Sequence, residues 1–268
     1  MESKNRNVWI IVVAVLVVAC CGLACILAAG GWLAYQSFNF ADLGPVTMGG
    51  TTRERIEQSF EVGDAPTLDI ENFAGAVTVR SGPDGIIQVT ATKKANSQSR
   101  LDRIQVNMSK QGDGVLIKSR MTPMGGNASV DLVITAPADS KLTVDTGAGA
   151  VIARDIAGPI GVNSGAGQVD LRGAQGPVQV SLGAGQIIYE GTPSGDCRFD
   201  TGAGEVSLRL PADLNMEVDL GTGMGAVSVD YDVDGLVRPR EVRGIIGDGS
   251  QGSITAHTGV GAVTLRRK

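Results

Sequence analysis

Aromatic residues make up only 4% of this 268-residue chain, and His257 is its one histidine. Three of the four cysteines (Cys20, Cys21 and Cys25) crowd into the first thirty residues, which leaves Cys197 alone in the rest. Each shortage excludes something. A lone cysteine rules out a disulfide framework, and no Cys/His spacing makes a zinc site. With one histidine and no nucleophile motif, no Ser-His-Asp triad is supported. Few rings mean a thin core filled by Val, Ile, Leu and Ala. Basic residues are also in deficit, 23 against 28 acidic. Setting aside Glu2, Lys4 and Arg6 leaves 21 against 27, about −6. That balance disfavours a nucleic-acid surface and strong attraction to anionic headgroups.

Glycine is plentiful at 38 residues, and it recurs in phrase. Thr146-Gly147-Ala148-Gly149, Ser164-Gly165-Ala166-Gly167, Leu182-Gly183-Ala184-Gly185 and Thr201-Gly202-Ala203-Gly204 are near copies, their first glycines 18, 18 and 19 residues apart. A fixed period near 20 residues predicts a stacked repeat. Four apolar columns accompany the phrase: Leu142/Ile160/Val178/Cys197/Met216, Val144/Val162/Val180/Phe199/Val218, Val151/Val169/Ile187/Val206 and Ala153/Leu171/Tyr189/Leu208. They alternate with polar or small residues, so each repeat offers two short strands with inward apolar faces. Stacking at ~4.8 Å closes a core that no single repeat can bury, with glycines at the corners and alanines suited to crowding there.

Weaker copies flank this ladder: Leu68, Ile70, Gly75, Val77 and Val79 early; Gly223-Met224-Gly225, Val227 and Val229 later; Ile254, Ala256, Gly259-Val260-Gly261, Val263 and Leu265 last. Asp232 to Gly252 reads as a rung with a longer polar loop. Arg266-Arg267-Lys268 is placed to blunt an edge strand. Alternation at Ile104, Val106 and Met108, at Val115 and Ile117, and at Val130, Leu132 and Ile134 adds strands, with one helical turn or a loop at 95–103. The expected fold is all-β: a single-stranded β-solenoid of about 18–19 residues per rung, two long sides or three short ones, preceded by one transmembrane helix.

That helix is Val8 to Tyr35, 28 uncharged residues, thirteen of them Val, Ile or Leu. At ~1.5 Å per residue it exceeds a ~30 Å hydrocarbon core. At roughly −0.4 kcal/mol per central Val, Ile or Leu it favours insertion by about −5 kcal/mol. Lys4 and Arg6 precede it, and Arg53 is the next basic residue. The positive-inside rule puts the N-terminus in the cytoplasm and the rest outside. The expected division is a cytoplasmic tail 1–7, a membrane helix 8–35, a Gly/Pro/Thr linker 36–59 and an extracytoplasmic β-repeat domain 60–268. A cleaved signal peptide is the competing reading. Val17-Val18-Ala19-Cys20 also resembles a loose lipobox that would lipidate Cys20, although the chain stays apolar to Leu33.

Leu68-Asp69-Ile70-Glu71-Asn72 with Gly75 and Val77, then Val130-Asp131-Leu132-Val133-Ile134-Thr135-Ala136-Pro137, then the Gly-x-Gly-x-Val ladder resemble the bacterial adhesin family of β-strand repeats, related to membrane-anchored "toastrack" domains of cell-envelope stress systems. The likeness spans 60–265 and implies an envelope protein without established catalytic residues.

The candidate side chains read as structural. His257 shares a turn-preceding column with Asp145, Asn163, Ser181, Asp200 and Asp219, where short polar groups bond nearby backbone. The Gly-x-Gly phrases lack the helix that a phosphate loop needs, because a strand follows each one. A calcium β-roll would have Asp where Ala150, Gln168, Gln186 and Glu205 stand. The Asp145, Asp200 and Asp219 column is at most a weak cation site. Asn107 and Asn127 head glycosylation sequons, which matter only in a eukaryotic secretory route. A flat water-facing Thr ladder is interrupted at Leu182 and Leu220, so Thr146, Thr201 and Thr258 point inward. The outward columns Gly161/Gln179/Arg198/Glu217 and Ile152/Asp170/Ile188/Ser207 carry no consistent charge for a polysaccharide-acting enzyme.

No residue is assigned as catalytic, cofactor-binding or metal-binding, and no cofactor is expected. The expected function is a non-catalytic binding or scaffold module of the bacterial envelope. Its partner would be an envelope protein, a glycan or a wall polymer, with no nucleic acid, and homo-oligomerisation stays open. The alternatives are an accessory subunit of envelope-stress signalling working through a second membrane protein and, third, a polysaccharide-acting β-helix.

Overall fold

The computed structural model describes residues 51–122 and 126–268. The predicted membrane helix 8–35, and with it Cys20, lies outside the described residues, among which no helix is long and apolar enough to cross a membrane. The described chain is all-β with one large sheet. In order the elements are β1 (Thr52–Glu61), β2 (Thr67–Asn72), β3 (Val77–Ser81), β4 (Ile86–Ala95), the helical turn α1 (Gln98–Leu101), β5 (Ile104–Gln111), β6 (Gly114–Met121), β7 (Ala128–Ala136), β8 (Lys141–Arg154), β9 (Ile160–Ala174), β10 (Val178–Gly191), β11 (Cys197–Leu210), β12 (Met216–Val229), β13 (Asp234–Arg238), β14 (Glu241–Ile246) and β15 (Ser253–Arg267). Strand β1 starts at Thr52, inside the stretch read as linker, and pairs with β4 along its whole length.

Each long strand is one rung with two arms. The Gly-Ala-Gly phrase forms the corner, where Gly149, Gly167, Gly185 and Gly204 hold φ of 134–143°. A Cβ on Gly167 would lie 1.8 Å from the Gly149 carbonyl oxygen, and one on Gly185 equally close to that of Gly167. Glycine is therefore required twice over, by its dihedral and by the neighbouring rung. Strands β8, β9, β10 and β11 stack parallel and in register, Leu142 beside Ile160 beside Val178 beside Cys197. The predicted inward columns are buried throughout these rungs: Val144, Val180 and Phe199 are fully covered, as are Val169, Ile187 and Val206. Cys197 is a free, buried thiol whose pKa burial pushes up to about 11.

The rungs do not stack in chain order. Strand β15 inserts between β11 and β12, parallel to both. At the other end the β2–β3 rung inserts between the β6–β7 rung and β8. This corrects the sequential stacking that the repeats suggested. The β12 rung is also shifted by two residues from the predicted frame: Val218, Leu220 and Thr222 stand beside Ile254, Ala256 and Thr258, and Met216 pairs with Ile246. Two overlapping Gly-x-Gly phrases at Gly221-Thr222-Gly223-Met224-Gly225 made both frames readable, and the register on β15, with Gly225 beside Gly261, decides between them. Asp232 to Gly252 is not a rung but carries an antiparallel hairpin, β13–β14, laid on β12. Arg266-Arg267-Lys268 does not blunt an edge, because β15 is internal. Instead Arg267 lies 5.2 Å over the Tyr231 ring and the Lys268 amide donates to the Leu210 carbonyl.

Candidate binding surface

His257 stands on β15, half-exposed, in register with Asp200 and not with Asp219. Its ring joins the rungs on either side: Nε2 lies 3.2 Å from Asp219 Oδ1 and Nδ1 lies 3.9 Å from Asp200 Oδ1. Arg198 Nε donates to Asp200 at 2.6 Å and Arg243 Nε to Asp219 at 3.1 Å, which extends the chain of contacts to an arginine at each end. Asp200 and Asp219 thus each have an arginine and the imidazole as partners. Among the described residues no group of three or more His, Cys, Asp or Glu forms a metal cluster. Asn163 donates to Asp145 at 3.2 Å, the short polar bonding expected of a corner column. Asn107 and Asn127 are both exposed.

The Thr column faces inward as expected: Thr146, Ser164, Leu182, Thr201 and Thr258 are all buried. Its continuation is Thr222 and not Leu220. The corner alanines differ from the expectation. Ala148, Ala166, Ala184 and Ala203 are exposed, and crowding falls instead on the flanking glycines, whose missing Cβ atoms point at the next rung.

A surface that sequence reasoning missed lies on the outer face of the second arm, one residue beyond the fourth apolar column. Registered pairing sets Arg80, Arg154, Arg172, Glu190, Arg209 and Arg266 side by side on six successive rungs. At ~4.8 Å per rung the row is roughly 24 Å long. Two of its arginines are fixed by the adjoining outward column: Arg154 donates through Nη1 and Nη2 to the Asp170 carboxylate at 3.0 and 2.9 Å, and Arg172 Nε donates to Asp170 Oδ1 at 3.1 Å. Hydrogen bonding to Arg154 holds the Asp170 carboxyl below its ordinary range, against the opposing effect of burial. The same bond raises Arg154. Glu190, the one acid in the row, is 3.2 Å from Lys268 Nζ. Arg80, Arg209 and Arg266 are exposed and form no ion pair among the described residues.

The row therefore presents free guanidinium groups towards both of its ends, Arg80 at one and Arg209 with Arg266 at the other, although the domain as a whole is acidic. The signal was present in the sequence: Arg154, Arg172 and Arg209 each follow a residue of the Ala153/Leu171/Tyr189/Leu208 column.

No protein-family model and no curated protein matches the chain. Similar solved structures include a "putative cell adhesion protein" of Clostridium sporogenes (14% identity over 80% of this chain and 100% of that one, TM-score 0.45) and a "putative adhesin" of Bacteroides fragilis (10%, 80% and 97%, 0.36). A "putative lipid binding protein" of Parabacteroides distasonis is a third (10%, 80% and 97%, 0.32).

Proposed function

We propose that this chain is a membrane-anchored, extracytoplasmic β-solenoid that binds a linear anionic polymer of the bacterial envelope without catalysis. The arginine row carries the reading. A polymer with phosphates or carboxylates along its backbone meets an arginine on five of the six rungs, and guanidinium groups suit both anions through paired N–H donors. Strand pairing on both sides holds the backbone of the row in place, so little backbone ordering is left to oppose binding. The uncharged segment 8–35 would tether the row outside the membrane, with Lys4 and Arg6 on the cytoplasmic side.

The test is binding of the full chain, in non-ionic detergent, to poly(glycerol phosphate). The triple variant Arg80→Ala, Arg209→Ala, Arg266→Ala is expected to bind about tenfold or more weakly, with a shallower dependence on salt. Equal binding by the triple variant, or equal binding to a neutral glucan, overturns the reading. Orientation is checked separately: protease added to intact spheroplasts should cleave the β-domain, and cleavage only after permeabilisation would reverse the assignment.

A further inference from the structure

We propose that two copies of this chain pair edge to edge through β13, antiparallel about a two-fold axis at Leu236. Among the described residues, strand β13 is the last strand of the sheet path and has one neighbour, β14. The two residues Pro239 and Arg240 close its hairpin, with Arg238 facing Glu241. From that closing pair the antiparallel ladder alternates, so Arg238, Leu236 and Asp234 bond to β14 while the N–H and C=O of Gly235 and Val237 point outward. Val237 is 64% exposed, although Val242, across from it on the same face, is buried. The apolar face thus stops at an uncovered strand, which is an open template for another strand.

The sequence of β13 complements itself. Centred on Leu236, an antiparallel copy sets Asp234 against the partner copy's Arg238 and Arg238 against its Asp234. Both side chains are exposed and neither forms an ion pair among the described residues. The same register sets Gly235 against Val237 twice. Their outward groups then form four backbone hydrogen bonds, and each Val237 lies over a glycine that leaves room for it. Opposed charges across a ladder favour one register, and a slip by one residue loses both ion pairs and turns every side chain over. A second copy fits better than an unrelated strand because both ion pairs and all four hydrogen bonds come from one five-residue segment. This inference is independent of the polymer reading, since β13 carries none of the arginine row.

The test uses the full chain in detergent, followed by sedimentation velocity. Asp234→Arg and Arg238→Asp should each weaken the dimer about tenfold, and the two together should restore it. Far-UV circular dichroism and melting confirm that each variant folds. Independently, Leu236→Cys in native membranes should give an oxidation-dependent dimer that the unsubstituted chain does not. A chain that is monomeric at all concentrations overturns the proposal. So does a dimer that the single substitutions leave intact, a double substitution that fails to restore it, or a Leu236→Cys crosslink only to other proteins.

Discussion

The two ends of the stack meet the same difficulty in different ways. Towards each end lies an intercalated rung, β2–β3 at one and β15 at the other, then one more parallel rung, then antiparallel strands. At the β1 end both arms are covered: β5 lies on β6, and β4 then β1 lie on β7. The outermost strand there is heavily charged, with Arg55 paired to Glu57 and Glu54 to Lys93. At the β13 end only the first arm of β12 is covered, by the β14–β13 hairpin. Met224, Val260 and Val237 are more than half exposed there. One end is closed against further strands by charge and cover, and the other leaves an apolar edge. Edge strands in one fold are thus unequally protected, and an unprotected one is where association is to be sought.

Substitutions can break or sharpen this contrast, and urea unfolding reads each of them. The largest effect belongs to the corner glycines. Gly167→Ala is expected to cost about 4 kcal/mol or prevent folding, because the new Cβ meets a neighbouring carbonyl at a strained φ. Gly225→Ala makes the same 1.8 Å clash with Gly261, but on the uncovered end rung, which is free to move outward. About half the loss is expected there, and equal losses would show that the end is as rigid as the middle.

Next comes Phe199→Ala. It removes a fully buried ring whose centroid lies 5.1 Å from that of Tyr189, and should cost about 3–4 kcal/mol. Val229→Ala, on the open arm, should cost under about 1 kcal/mol.

Asp170→Asn should cost about 2 kcal/mol at neutral pH, since it weakens the bonds to Arg154 and Arg172. The folded-state pKa of Asp170 lies below its ordinary 3.8. The contribution is therefore fully present above that value and is lost as pH falls through the lowered one. The gap between the unsubstituted chain and the variant should close with acidification below about pH 4, and a gap independent of pH would refute the ion-pair account.

Tyr231→Phe should cost about 1 kcal/mol by removing the hydroxyl that donates to the Leu210 and Pro211 carbonyls at 2.8 Å. The smallest effect is Thr146→Val, neutral or slightly stabilising, because Thr146 Oγ1 is buried without a hydrogen-bond partner among the described residues.

The four central rungs were legible because period-two alternation and the glycine phrase are local signals. Leu142, Val144, Val151 and Ala153 could be placed inward from spacing alone, and the four-residue α1 falls where one helical turn or a loop was read. The β12 frame was not legible, because two Gly-x-Gly phrases overlap at 221–225 and local pattern cannot choose between them. The arginine row was half legible: Arg154, Arg172 and Arg209 repeat at the rung period, but Arg80 and Arg266 join them only through pairing between distant rungs. The His257 contact with Asp219 depends on the shifted frame of β12 and could not be read from an alignment that placed them in one column.

By itself the sequence determined the rung: its length, its corner, its inward faces and the residues that must be glycine, all consequences of backbone sterics and apolar alternation within about twenty neighbours. Only the tertiary structure decided the order of the rungs. Their edges are nearly interchangeable, since every rung offers the same hydrogen-bond ladder and the same apolar columns, so which rung lies beside which depends on the competition of whole strands for their neighbours. That order sets β15 between β11 and β12, lines up five arginines, and leaves β13 as the open edge.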